Sequence, residues 1–344
     1  MSSDPSQYAA AGVDLAAADE AKSRIGIAVA GTRTALSVGQ VGAFGGMVRI
    51  PERMHRPTLV LSTDGVGTKV LVALQARRFD TVGEDLVNHS VNDILVHGAT
   101  PIAFMDYIAG DRLTLDQIGG IVDGIARGCR AHGMALAGGE TAQMPGLYQP
   151  GTFDLAGTII GVVEEDRALH GDRIVPGDVL LAYASSGLHT NGYTLARRII
   201  FDRLGLGISD RFGDTGSTVG DALLAVHRSY FRCVTPILDR VHGLAHITGG
   251  GIAGNLVRIL PSGCGAVVDP GSWTPPSLFT TLQQAGEIST EEMRHVFNLG
   301  VGLIAVLPPD AVAAVQAAAA ADGVATWLMG EIRRGNRIVR FARP

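Results

Sequence analysis

The stretch Ser62-Thr63-Asp64-Gly65-Val66-Gly67-Thr68-Lys69 places a carboxylate, two glycines and a lysine directly after the apolar, β-like run 58–61. Glycine lets backbone N–H groups approach an anion closely, lysine adds a point charge, and an aspartate can face a hard cation such as Mg²⁺. Such a combination suits triphosphate chemistry. It is not a P-loop, which needs Gly-x4-Gly-Lys-Ser/Thr, nor a dinucleotide fingerprint, because Val70 stands where the third glycine belongs. The same residues also read as an Asp-Gly turn capping the helix that follows, and the stretch taken alone leaves both readings open.

Three more places combine a strand-like run with glycine and a polar group. Residues 134–137 run into Gly138-Gly139-Glu140-Thr141. The run 179–184 ends in Ser185-Ser186-Gly187-Leu188-His189-Thr190-Asn191-Gly192, and 245–248 breaks into Gly249-Gly250-Gly251. Hydroxyl residues and glycine ahead of a helix read as an anion site or as simple N-capping. His189 is the near-neutral proton carrier if its loop binds substrate, and a surface or capping residue otherwise. Helical spacing over 82–97 sets Asp85, Asn88, His89 and Asn92 opposite an apolar side, with Asp93 four residues after His89. That polar side is either a solvated face or a ligand-facing one. Asp64 and Glu140 at two strand ends, with Asp93 on the helix, form the set a two-metal or metal–nucleotide site needs.

The elements that must position these groups follow from periodicity and breakers. A helix is predicted over 14–36, then a glycine cluster of Gly39, Gly42, Gly45 and Gly46 around Phe44 that suits a mobile cover. A strand at 58–62, helices over 69–79 and 82–97, a strand at 101–109, a helix over 115–132 and strands at 134–137 and 153–163 complete a first domain. Residues 170–178, with Gly171, Pro176 and Gly177, read as a linker. Beyond it come helices over 193–204, 221–241 and 252–260 and strands at 179–184, 245–248, 303–307, 325–332 and 337–341. The pattern is α/β, with mixed sheets flanked by helices in each of two domains, 1–170 and 171–344.

The chain has 344 residues, 46% of them hydrophobic and 18% charged, and 46 glycines without a collagen-like period, which fits a globular protein of about two domains rich in backbone-built loops. A net charge of -5 offers no electrostatic footprint for nucleic acid or an anionic membrane. Cys129, Cys233 and Cys264 are far apart and form no Cys-x-x-Cys pair, as in a reducing cytoplasm. The first twenty residues have no basic-then-apolar leader pattern and no apolar run reaches membrane-spanning length, so a soluble cytoplasmic protein acting on small molecules is expected.

In order and spacing the loops resemble the aminoimidazole ribonucleotide (AIR) synthetase family, the phosphoribosylformylglycinamidine cyclo-ligases. The resemblance runs nearly end to end. It is carried by Tyr8 through Asp14, Asp64 through Lys69, Val91-Asn92-Asp93 with Gly98-Ala99 and Asp106-Tyr107, and Gly138 through Ala142 with Met144-Pro145-Gly146. Ser185 through Tyr193, His246 through Gly251 and Phe297-Asn298 with Gly300-Val301-Gly302 continue it. It implies ATP-dependent ring closure of formylglycinamidine ribonucleotide with ATP and Mg²⁺, and a homodimer built through the first domain. It further implies that Asp64, Asp93 and Glu140 hold metal and nucleotide, that Lys69 contacts phosphate, and that Gly42, Phe44, Gly45 and Gly46 cover the nucleotide. Gly65, Gly67, Thr68, Asn92 and Gly139 complete the nucleotide side. Ser185, Ser186, Gly187, His189, Asn191, Thr248, Gly249, Gly250 and Gly251 form the ribonucleotide side, with Asp64, Lys69 and His189 nearest the chemistry.

The chain departs from the family pattern at Gly26, where many members carry lysine, at Gln40 and Ala43 within the glycine pairs, and at Thr100 and Gln143, which replace common glutamates. The alternatives within the superfamily are a selenophosphate synthetase, a thiamine-monophosphate kinase and a hydrogenase-maturation enzyme. A nucleotide-binding paralogue without turnover is the alternative of another class. The absence of a cysteine before Cys129 and the ending Phe341-Ala342-Arg343-Pro344 speak against the first and third of these enzymes.

Overall fold

The structure is a computed structural model that describes residues 15–40 and 45–342. Gly42, Ala43 and Phe44 and the motif at 8–14 lie outside the described residues. The chain divides into two compact units, one of residues 1–90 and 101–162, the other of residues 91–100 and 163–344.

The first unit is built on a four-stranded sheet in the order Pro57–Gly65, Phe153–Glu164, Thr100–Gly110, Ala135–Gln143. Along Phe153–Glu164 burial alternates, with Phe153, Leu155 and Ile159 inside, as a sheet with one covered face requires. The Leu115–Ala131 helix supplies Ile118, Ile121, Val122 and Ile125 to the covered side. It starts at a reciprocal capping box in which Thr114 accepts the Gln117 N–H and the Gln117 side chain accepts the Thr114 N–H. It also forms the crossover between Thr100–Gly110 and Ala135–Gln143, which pair in parallel with Asp106 opposite Gly139 and Tyr107 opposite Glu140. On the other face Leu59, Leu61, Met105 and Tyr107 are exposed.

Two expected junctions turn out to be strand interiors. The predicted strands at 58–62 and 134–137 are longer, so Asp64-Gly65 and Gly138-Gly139-Glu140 belong to the strands themselves. The Gly-Gly pair does not break its strand because an absent side chain is what lets Gly139 pass Asp106, whose carboxylate a Cβ there would overlap.

The second unit holds a six-stranded sheet in the order Val339–Phe341, Cys264–Val268, Thr326–Arg334, Val179–Ala184, Val301–Leu307, Gly243–His246. All its pairings are antiparallel except Val339–Phe341 with Cys264–Val268. Its central strands are continuous apolar runs because both faces are covered. Leu181, Tyr183, Leu303, Ala305 and Leu307 pack on one side with Val315 and Ala319 of the Val312–Ala321 helix. Leu180, Ala182, Ile304 and Val306 pack on the other with Ile252 and Leu256 of Gly251–Leu256. The helix expected over 221–241 does not form as one piece. Val219–Leu223, Phe231–Val234 and a 3₁₀ segment Thr235–Arg240 stand in its place, with irregular backbone between the first two.

Candidate active site

In the first unit, the polar side of the Asp80–Leu95 helix is neither solvated nor open, since each group is met by an internal partner. Asp85 Oδ2 lies 2.8 Å from Lys69 Nζ with both side chains fully buried. Asn88 Oδ1 accepts from His132 Nε2 at 3.0 Å. His89 Nε2 lies 2.8 Å from Asp64 Oδ2, and Asp64 Oδ1 accepts the Gly65 N–H at 2.7 Å. Lys69 opens the Lys69–Ala76 helix with its ammonium inside the unit. Burial pushes its pKa below the ordinary value, against the opposing charge and hydrogen bond of Asp85.

Asp64 keeps 46% of its side chain exposed, and Glu140 is exposed on its strand. Between them in chemistry stands Asp106, whose carboxyl is pushed up to about 7 by burial despite a backbone hydrogen bond that lowers it. The backbone at Gly46 lies so close to the Ala137 carbonyl that any Cβ would overlap it, so the described end of the glycine cluster runs against the Ala135–Gln143 strand. Exposed carboxylate oxygens beside bare backbone are the donor set a hard cation and a phosphate chain take. A side chain at Gly26 would meet nothing within 4 Å. The departure from lysine there therefore answers no packing demand.

Asn92 and Asp93, expected on the nucleotide side, belong to the second unit, where they meet segments adjoining the loops expected to take the ribonucleotide. His246 Nδ1 lies 2.8 Å from Asp93 Oδ1. From His246 the chain enters Thr248–Gly251, a turn in which Gly250 takes φ 91°, a left-handed conformation suited to glycine. Asn255, one turn into the next helix, clamps it by donating from Nδ2 to the carbonyls of Thr248, Gly249 and Gly251 at 3.3, 3.2 and 2.8 Å.

The Ser185–Gly192 loop is fixed in the same way. The Ser185 N–H donates to Gly300 O at 2.9 Å. Asn298 Nδ2 donates to Gly187 O at 2.9 Å, and Ser186 Oγ donates to Val226 O at 2.5 Å. Asn191 adjoins the triple-glycine turn, its Oδ1 3.5 Å from where a Gly249 Cβ would stand. His189 is buried rather than displayed. It holds φ 62°, its Nε2 accepts the Ser186 N–H at 3.2 Å, and its ring stacks on His227 at 3.9 Å between centroids.

Sequence reasoning gave Asp106 no role beyond its place in the family pattern, and passed over Asn255 and His227. His227 gave no signal, being a lone histidine within an expected helix. Asn255 could have been found, because a side-chain amide four residues after a triple glycine can reach back to the turn's carbonyls.

Two family models match in tandem, AIR synthase related protein, N-terminal domain, over residues 42–163 and AIR synthase related protein, C-terminal domain, over residues 175–342. The fold and site thus define a two-domain protein of the AIR synthase-related class. The phosphoribosylformylglycinamidine cyclo-ligase of Sorangium cellulosum is 48% identical over 94% of this chain and 94% of its own length. That of Trichlorobacter lovleyi is 46% identical over 97% and 96%. The chain belongs to the phosphoribosylformylglycinamidine cyclo-ligase family. A thiamine-monophosphate kinase from Stenotrophomonas maltophilia shares the fold at a TM-score of 0.69 and 18% identity, covering 96% of each chain. The hydrogenase maturation protein HypE, solved in complex with ATP, shares it at 0.63 and 20%, covering 89% of this chain and 84% of its own.

Proposed function

We propose that the protein is the ATP-dependent cyclo-ligase that closes formylglycinamidine ribonucleotide to 5-aminoimidazole ribonucleotide, releasing ADP and phosphate. The observation that carries this reading is end-to-end relatedness to the cyclo-ligases in a chain that keeps both its exposed carboxylates and its clamped substrate loops. An amide oxygen is a poor leaving group. Its phosphorylation by ATP makes it a good one, after which the amidine nitrogen attacks the imidate carbon and inorganic phosphate departs.

We assign Asp64 and Glu140 as the first unit's oxygen donors that would hold Mg²⁺, which supplies charge neutralisation on the phosphates, and leave Asp93, expected in that set, with His246 in the second unit. Gly45, Gly46, Gly65, Gly67, Thr68 and Gly139 then provide the backbone surface for ATP, within a nucleotide and dimerisation domain of residues 1–170. Lys69, buried on Asp85, acts on this surface by fixing the start of its helix. Ser185, Ser186, Gly187, Asn191 and Thr248 to Gly251, in a domain of residues 171–344, take the ribonucleotide, whose phosphate suits the turn amides. We assign His189 to shaping its loop, since its Nε2 already accepts a backbone hydrogen.

The exposed apolar side chains Leu59, Leu61, Met105 and Tyr107 on one sheet face support a homodimer through the first domain, because exposed apolar groups gathered on one face are the material of an interface. All three cysteines are buried, which gives no support to the selenophosphate alternative with its reactive thiol. Among the described residues no helix is long and apolar enough to cross a membrane. The test is phosphate release from ATP and Mg²⁺ by purified protein with and without formylglycinamidine ribonucleotide. Turnover that depends on the ribonucleotide is expected, and its absence would sink the assignment.

A further inference from the structure

Three histidines from separate segments, His189, His227 and His246, meet in the interior of the second unit, with ring nitrogens within 4.8 Å of one another. Asn92 sets the direction of the network. Its Oδ1 accepts the Tyr230 N–H at 3.0 Å, which makes Nδ2 the amide nitrogen, a donor only. One Nδ2 hydrogen goes to Arg228 O at 2.8 Å, and Nδ2 also lies 3.2 Å from His227 Nε2. His227 Nε2 is therefore an acceptor, and the ring hydrogen of His227 sits on Nδ1, 3.3 Å from Thr190 Oγ1. His246 Nε2, 3.1 Å from that acceptor, must donate to it, and His246 Nδ1, 2.8 Å from an Asp93 carboxylate oxygen that can only accept, must donate there, so both ring nitrogens of His246 carry hydrogen.

The same chemistry speaks against a three-histidine metal centre. An amide donor points at the nitrogen that would be a ligand, and His189 and His227 are stacked at 22° rather than converging.

We propose that His227 is a positioning residue for the ribonucleotide. It ties together Asn92, the His246 strand that leads into the Thr248–Gly251 turn, and the Thr190 end of the Ser185–Gly192 loop, and so holds both substrate loops in one arrangement. This rests on the cyclo-ligase reading for the identity of the ligand, not for the network itself.

The test compares the full-length protein with H227F, which keeps the ring but loses both ring nitrogens, and H227Q, whose side-chain oxygen can accept where Nε2 does. Two orphaned donors should raise the KM for formylglycinamidine ribonucleotide about tenfold in H227F, with the KM for ATP within about twofold. H227Q should recover to within about threefold. Side-chain ¹⁵N spectra should show wild-type His227 protonated on Nδ1 alone, and His246 N–H signals that broaden or vanish in H227F and persist in H227Q. Equal rises in both KM values, unchanged kinetics, or H227Q as impaired as H227F would overturn the proposal. So would His227 protonated on Nε2, or stoichiometric Zn²⁺ bound by the purified protein. A wild type without ribonucleotide turnover would remove the cyclo-ligase reading, and the spectra would still decide whether His227 orders His246.

Discussion

Lys69 and Asp85 offer the sharpest test of how the first unit is held together. In the sequence Lys69 reads as a phosphate contact and Asp85 as part of a solvated or ligand-facing side, yet both are fully buried and 2.8 Å apart. Burial costs each charge several kcal/mol, and the pair survives because each offsets the other. Lys69→Met leaves the Asp85 carboxylate alone inside the unit, and Asp85→Leu leaves the ammonium. Either single change should destabilise by about 3–5 kcal/mol, which for a unit of this size is a fall in Tm of roughly 10 °C. The double variant K69M/D85L removes both charges and should lie within about 2 kcal/mol of wild type. Thermal unfolding followed by circular dichroism on all four proteins completes the cycle. Additive losses, with the double variant as unstable as the two singles summed, would refute the claim that these groups answer one another. The desolvation that lowers the Lys69 pKa also sets a sign. The unfolded chain binds the lysine proton more tightly than the folded one, so the cost of burying the Lys69 charge is relieved, and stability rises, as pH goes from the lowered folded value toward 10.5.

Other expectations follow from the site. Asp64→Asn should lower kcat by roughly two orders of magnitude with the fold intact by circular dichroism, and near-normal turnover would remove Asp64 from the chemistry. Asn255→Ala frees three carbonyls of the triple-glycine turn and should raise the ribonucleotide KM about tenfold with little change for ATP, read from initial rates. Asp106, raised from 3.8 to about 7, is bound more tightly to its proton in the folded state, so the carboxyl costs stability increasingly as pH climbs from about 4 to 7. Asp106→Asn should therefore stabilise at pH 8 more than at pH 5 by roughly 1–3 kcal/mol after allowance for partial exposure, as Tm values at the two pH values would reveal. On the proposed homodimer, wild type should sediment as a dimer and Leu61→Glu, on the exposed sheet face, as a monomer; a monomeric wild type would sink the proposed dimer, and a dimeric variant would move the interface off this face.

Much of the architecture was legible because its signals are local. Val179–Ala184 and the Leu115–Ala131 helix fall where an apolar run and a helical period put them. What was not legible depends on distant partners. Gly138-Gly139 reads as a turn unless one knows that Asp106 lies alongside in the neighbouring strand. The run 221–241 has helical period, but the backbone of Arg228 and Tyr230 is bound by Asn92 and held out of a helix. The polar side of Asp80–Leu95 carried the right residues for a site, and only the fold reveals that Lys69, His132 and Asp64 take up Asp85, Asn88 and His89. Asp93 was singled out by its spacing from His89, whereas its place beside His246 in the second unit was not legible.

The amide of Asn255 has a meaning for timing as well as for shape. A run of three glycines is the most disorder-prone sequence a binding turn can have, and a ligand that had to immobilise it would lose affinity with every torsion it froze. Because one side chain already bonds three of the turn's carbonyls, that ordering is completed when the protein folds. On the proposed assignment of this turn to the ribonucleotide, the incoming phosphate meets a finished mould, and the binding energy it would have surrendered to entropy stays available for the ring closure itself.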